Sequence, residues 1–271
     1  MTVAVGWIRK CKRTEELIIA SDSRLCGGYR WDSCPKIMCL PRNDCALAFA
    51  GDTGYAYPLM MQAYLASGET QQAKDRAIDV VKFNGFLLSQ MNSMQAEVYS
   101  KASEDDINEN EFLLGGYSWI NQEFRLWRYQ YNKHKKLFEK QQFEYSFENK
   151  FGKIVFAGDA KGRLVKELMY ILKAKYGDDY LQFDGEGFDM EPFEALVSLL
   201  RKVEPTDTIG GPPQLVKVYR HMNSKPIGVY WPKKTDDIYQ NRTLLGRKLF
   251  DNEQCDFSFI DPDSCYSHKT F

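Results

Sequence analysis

A threonine stands directly behind Met1 and directly ahead of a short apolar run, Val3-Ala4-Val5-Gly6-Trp7-Ile8. Removal of Met1 would leave a hydroxyl and a free α-amine on one residue, Thr2, at the start of a strand. An α-amine has an ordinary pKa of about 7.7–8.0, low enough to take the hydroxyl proton, directly or through water, near neutral pH. Aminopeptidases remove Met ahead of small residues such as Thr. Thr is also a common second residue, so its weight depends on what the fold brings to it. Other routes to chemistry are poorly supplied. With three histidines, His134, His221 and His268, and no HExxH spacing, no His-rich metal site is expected. The 7 cysteines are an odd number without a paired CxxC framework and read as reduced thiols, not as zinc ligands or disulfides. No cofactor is expected.

The elements that must carry Thr2 show first as two hairpins. Residues 3–8 break into the basic segment 9–13, and the apolar run resumes at Glu16-Leu17-Ile18-Ile19-Ala20, which predicts a pair of buried strands. Lys36-Ile37-Met38-Cys39-Leu40 and Cys45-Ala46-Leu47-Ala48-Phe49-Ala50 repeat the pattern around the turn Pro41-Arg42-Asn43-Asp44. After Gly51-Asp52-Thr53-Gly54, apolar residues recur at helical spacing over 55–65 and 73–99, separated by Ser67-Gly68. Residues 111–119, 124–131, 138–147 and 153–157 read as strands, 162–176 and 192–203 as helices, and 215–222 and 227–231 as closing strands. The acidic, Gly-bearing stretch 177–190 reads as a surface loop. No Pro-, Gly- or Ser-rich linker interrupts this order, so a single domain over residues 1–271 is predicted, with sheets covered by helical layers. Residues 232–271, with Phe250, Phe257, Phe259 and Ile260 between acidic residues, form a C-terminal extension suited to an edge strand or an intersubunit arm.

Thr2 keeps ordered company: Ala20-Ser21-Asp22-Ser23-Arg24, Gly27-Gly28, Pro35-Lys36-Ile37 and Phe49-Ala50-Gly51-Asp52. Singly, each has a plainer reading. Asp22 and Arg24 suit a surface ion pair in a turn, Lys36 a solvated strand end, and Gly51 the entry to a helix. As an ordered set they resemble the catalytic β-subunits of the proteasome family of N-terminal-nucleophile hydrolases. Those chains start at Thr, carry Ala-x-Asp-Ser-Arg at the end of the second strand, Lys at the start of the third, and Ala-Gly ahead of the first long helix. The motif match covers the two hairpins and the first helix entry; the order of elements agrees over most of the rest.

The resemblance implies an α+β fold, a four-layer αββα sandwich of two mainly antiparallel sheets, and a threonine peptidase. Thr2 would be the nucleophile, with the Lys36 ammonium favouring its alkoxide, Asp22 fixing Lys36, and the Gly51 N–H holding the oxyanion. Two departures stand beside it. The hairpin turn 9–15 is longer and the segment 22–36 shorter than in the family, so the substrate-lining loop around 25–29 should differ in shape. Where the family has Ser-Gly after a late strand and Asp-x-x-Ser-Gly-Gly further on, this chain has Gly158-Asp159 and Asp207-Thr208-Ile209-Gly210-Gly211. Asp159 and Asp207 are the nearest candidates to orient the amine, although Asp159, just ahead of a helix, is expected to serve as its N-cap. Pro212-Pro213 and the tail resemble a divergent bacterial group related to proteasome β-subunits, the ancestral-beta-subunit type included.

Charge and hydropathy narrow the partners. Lys and Arg total 36 against 37 for Asp and Glu, so no overall field would attract nucleic acid or an anionic membrane. No apolar run reaches the roughly 20 residues of a membrane span, and no signal-peptide pattern opens the chain, so a cytoplasmic protein is expected. The resemblance implies a peptide or unfolded-polypeptide substrate, a homo-oligomer (ring or helical stack), and a separate unfolding ATPase, since the chain carries no GxxxxGK[ST]. Residues 55–65, rich in apolar and aromatic side chains around the whole helix, are the candidate contact element. The alternatives are a catalytically silent scaffold or assembly subunit of the same fold, and a small-molecule amidase.

Overall fold

The computed structural model describes residues 2–11, 14–26, 29–98, 107, 109–141, 151–182, 187–237 and 239–269. Gly27-Gly28 and the outer part of the strand expected over 138–147 lie outside the described residues. The chain opens with β1 (Ala4–Cys11), β2 (Thr14–Ser21), β3 (Leu25–Cys26), β4 (Arg30–Trp31), β5 (Ile37–Cys39) and β6 (Cys45–Ala50). Helices α1 (Thr53–Glu69), α2 (Gln71–Lys74) and α3 (Val80–Gln95) follow, then β7 (Glu111–Ser118), β8 (Glu123–Asn132), β9 (Leu137–Gln141) and β10 (Ile154–Ala157). Helices α4 (Lys161–Tyr176) and α5 (Glu191–Arg201) precede β11 (Gln214–Tyr219), β12 (Asn223–Tyr230), β13 (Arg242–Leu244), β14 (Arg247–Lys248), β15 (Ser258–Ile260) and β16 (Ser267–Lys269).

Two main sheets form. The larger runs β10-β1-β2-β11-β12-β13-β14, with β15 paired to β12 and to β16; the smaller runs β5-β6-β7-β8-β9. Among the described strands every pairing is antiparallel except β12 with β15. The period-2 alternation of the strands sorts side chains by size. On β6, Cys45, Leu47 and Phe49 pack in a cluster with Met60 and Ala63 of α1 and Phe83 and Leu87 of α3, while Ala46, Ala48 and Ala50 turn the other way. Those alanines meet Ala4, Leu17, Ile19, Val155 and Val216 of the larger sheet. Val5, Trp7, Ile18 and Phe156 point to the opposite face of that sheet, against Leu164, Leu168 and Leu172 of α4 and Leu196 and Leu200 of α5. Close approach between sheets needs small residues: a Cβ on Gly115 would lie 2.7 Å from Leu17 Cδ2.

Both expected hairpins and both helix pairs form, with shifted borders. Helix α1 runs through Ser67-Gly68 and ends one residue later, at Glu69, with Gly68 in its last turn against Pro41, whose ring a Cβ would approach to 3.3 Å. The break comes at Thr70 and again around Arg76, whose φ of 55° is left-handed, before Asp79 caps α3 by accepting from the Val81 N–H. Among its described residues the expected loop 177–190 contains a turn of 3-10 helix, Tyr180–Gln182. Residues beyond Trp231 add strands to the larger sheet: β13 and β15 both pair with β12, and Phe259 and Ile260 are buried there. No helix of the described residues is long and apolar enough to cross a membrane.

Candidate active site

Strand register assembles the site. Ala4 of β1 pairs with Ser21 of β2 on one side and with Ala157 of β10 on the other. The next residues outward are therefore Thr2-Val3, Asp22 and Gly158-Asp159, three chain segments at one end of the sheet. Val3 O accepts from the Ser21 hydroxyl (2.9 Å) and the Asp22 N–H (3.3 Å), which locks the first two together. Lys36 comes from the smaller sheet, one residue before β5, where its carbonyl accepts from the Phe49 N–H (3.1 Å).

The Lys36 ammonium spans the gap between the sheets. It donates to Thr2 Oγ1 (2.8 Å) and to Asp22 Oδ1 (2.9 Å), and Thr2, Asp22 and Lys36 are all buried. Asp22 accepts four donors: Lys36 Nζ and the Val3 N–H (3.1 Å) on Oδ1, and the Arg24 and Gly210 N–H groups (3.1 Å each) on Oδ2. Such a carboxylate has no rotational freedom, so the lysine it holds is aimed as well. The solvated reading of Lys36 is thereby overturned. So is the surface reading of Arg24, which is largely buried, ion-paired with Asp32 (2.6 Å) and bonded to the carbonyls of Glu204, Pro205 and Asp207. Hydrogen bonding to Arg24 holds the Asp32 carboxyl below the usual carboxylate range. Burial pushes the thiol of Cys34, close by in sequence, up, which disfavours its thiolate.

The nitrogen of Thr2 meets a different group. It donates to Asp159 Oδ1 at 2.8 Å. In this chain that nitrogen is the peptide N–H joined to Met1, so the contact marks where the α-amine would sit after cleavage. The expectation that Asp159 caps α4 is corrected: Ala160 holds the cap position, with no side-chain cap hydrogen bond. Asp207 lies apart, accepting from the Glu204 N–H (2.9 Å) and Arg163 (3.2 Å). Gly158, at φ 95°, is where the nitrogen side is pinned. A Cβ there would sit 2.0 Å from Thr2 O and 3.1 Å from Ala50 Cβ.

That short distance puts Ala50, the last residue of β6, against Gly158, and Gly51 follows it in the chain. Gly51 has φ 131° and abuts Asn110, so a Cβ would lie 2.6 Å from Asn110 Oδ1 and from Glu109 O. Asp52 then caps α1 by accepting from the Tyr55 N–H (2.9 Å), which bears out the plainer reading of Gly51 as a helix entry.

Two positioning residues escape the sequence. Gln214, fully buried at the start of β11, accepts from the Lys36 N–H (2.9 Å) and donates to Asp22 O (3.3 Å), Ser23 Oγ (3.0 Å) and Cys34 O (2.6 Å). Glu111, at the start of β7, accepts from the Gly158 N–H (2.6 Å) and from Lys161 (3.0 Å). A polar residue at a strand start was the signal in both cases, and nothing in its spacing tied it to Thr2.

The fold is similar to that of Anbu (ancestral beta-subunit) from Yersinia bercovieri, with a TM-score of 0.54 at 13% identity over 83% of this chain and 86% of that chain. At that identity the likeness is one of fold. No family model matches the sequence, and no curated protein matches it.

Proposed function

We propose that this chain is a threonine-type amide hydrolase of the proteasome-like, N-terminal-nucleophile kind, activated by loss of Met1. The observation that carries the reading is the Lys36 ammonium held at 2.8 Å from the Thr2 hydroxyl and 2.9 Å from the Asp22 carboxylate. Thr2 Oγ1 attacks the substrate carbonyl while its proton passes to the freed amine, and Lys36 stabilises the alkoxide character that develops. The oxyanion is taken by the Gly51 N–H, at the entry to α1, where the helix N-terminus also favours negative charge. Collapse expels the leaving amine with the proton from the α-ammonium and leaves an ester on Thr2. Water, deprotonated by the same amine, hydrolyses the ester and restores the hydroxyl.

The three apolar clusters support a single domain layered helix, sheet, sheet, helix, the αββα arrangement. Peptide is the substrate class we favour, handled inside a homo-oligomer in the cytoplasm and delivered unfolded by a separate ATPase. Met61, Tyr64 and Leu65, exposed on α1, supply an apolar contact face for that assembly. One observation favours the silent-scaffold reading: Thr2 is only 1% exposed while Met1 is attached. Intact mass and N-terminal sequencing followed by epoxyketone or β-lactone labelling decide between them. The expected result is loss of Met1 and an adduct on Thr2 that Thr2→Ala abolishes. A processed chain that stays unlabelled would falsify the hydrolase reading.

A further inference from the structure

The Asp159 carboxylate is placed where the reaction needs a proton acceptor to lie free. Its Oδ1 is 2.8 Å from Thr2 N, and neither the helix that follows nor, among the described residues, any ion pair occupies it. We infer that Asp159 holds the freed Thr2 amine as an ammonium beyond neutral pH, so that the hydrolase is restrained at neutral pH and released as the solution becomes alkaline. This deepens, and rests on, the N-terminal-nucleophile reading.

The sign follows from the charges around that nitrogen. An opposite charge in direct contact favours the protonated form of an amine, and a like charge disfavours it. On the strand side, the opposing Lys36 ammonium is already matched by Asp22 at 2.9 Å. From β7, Glu111 is shared between Lys161 at 3.0 Å and Arg128 at 3.8 Å, so it adds little net field. Asp159 is the carboxylate left to the amine. It is exposed, and water screens it, which sets the expected shift at the low end, about one pH unit. Its position is nonetheless fixed, because the Gly158 N–H before it is held by Glu111 Oε2 at 2.6 Å. The proton balance is simple: the ammonium must first lose its proton to solvent before the amine can accept the Thr2 hydroxyl proton.

The test reads the amine itself. The chain is produced behind a cleavable fusion whose protease leaves Thr2 first, with threonine methyl groups labelled with carbon-13, and the Thr2 methyl resonance is followed by NMR against pH. Wild type should titrate about one pH unit above Asp159→Asn, Asp159→Glu should keep most of the difference, and salt should narrow it. Coincident titrations of wild type and Asp159→Asn, or a variant titrating higher, overturn the inference. Asp159→Ser serves as a second uncharged variant should the asparagine disturb folding. Acyl-probe labelling scores the hydrolase reading separately: titrations that differ as expected in a chain that never labels leave the amine electrostatics standing and remove the proposed reaction.

Discussion

The hydroxyl side and the nitrogen side of Thr2 are built differently. On the hydroxyl side, Lys36 and Asp22 are fully buried, come from different sheets, and Asp22 has all four of its donors in place. On the nitrogen side a single exposed carboxylate, Asp159, stands in the turn after β10, positioned through Gly158 and Glu111. The Asp22 and Lys36 motifs that resemble proteasome β-subunits fall on the first side, and the Gly158-Asp159 departure falls on the second. Burial explains the division. Changing one member of a dry ion pair strands the other, whereas water can solvate whatever replaces an exposed group.

The largest effect should come from the buried side. Lys36→Met removes the cation between two sheets and leaves Asp22 in the dry interior, a loss of about 3 kcal/mol of stability by analogy with broken buried pairs. Urea denaturation should show it, and acyl-probe labelling of Thr2 should vanish even in the folded fraction. A variant as stable as wild type would erase the contrast between the two sides. Glu111→Gln probes the other side and should cost less, about 1 kcal/mol, since the amide can still accept from the Gly158 N–H while losing the charge that Lys161 meets. Here labelling should slow without disappearing, and a stability loss matching that of Lys36→Met would mean the nitrogen side is as tightly built.

The smallest effect is in acid. Arg24 holds the Asp32 carboxyl below its ordinary value, so the pair contributes stability that is present above the unfolded carboxylate pKa, about 3.9, and is lost as pH falls through the lower folded value. Comparison of wild type with Asp32→Asn by thermal melts should show a gap at about pH 6 that closes as the solution is acidified past the ordinary carboxylate range. Because Asp32 is 44% exposed the gap should be slight, and one that widens in acid would reverse the assigned sign.

Local pattern located the strand ends on the hydroxyl side, and the resemblance to proteasome β-subunits singled out the residues there. Alternating apolar residues placed β1, β2, β5 and β6, and short fixed offsets placed Asp22 just past β2, Lys36 just before β5 and Gly51 just past β6. A hairpin pairs neighbours in sequence, so what lies at its ends can be inferred without knowing the rest of the fold. Gly68 shows where such inference stops: a turn signal by composition, it lies in the last turn of α1, against Pro41.

The sequence by itself determined the order of the main strands and helices and the turn residues that end the strands, and the Thr2, Asp22, Lys36 set came from the resemblance to proteasome β-subunits. Only the tertiary structure decided that Asp159 faces Thr2 N across 157 residues, that Gln214 reaches Lys36 across 178, and that Glu111 holds Gly158 across 47. Those three depend on β10 lying beside β1, β11 beside β2, and the smaller sheet packing its alanine face on the larger. A strand carries its side-chain alternation in its own residues, but its choice of neighbour is a competition among all strands for the best-packed pairing, and no single stretch of sequence contains that outcome.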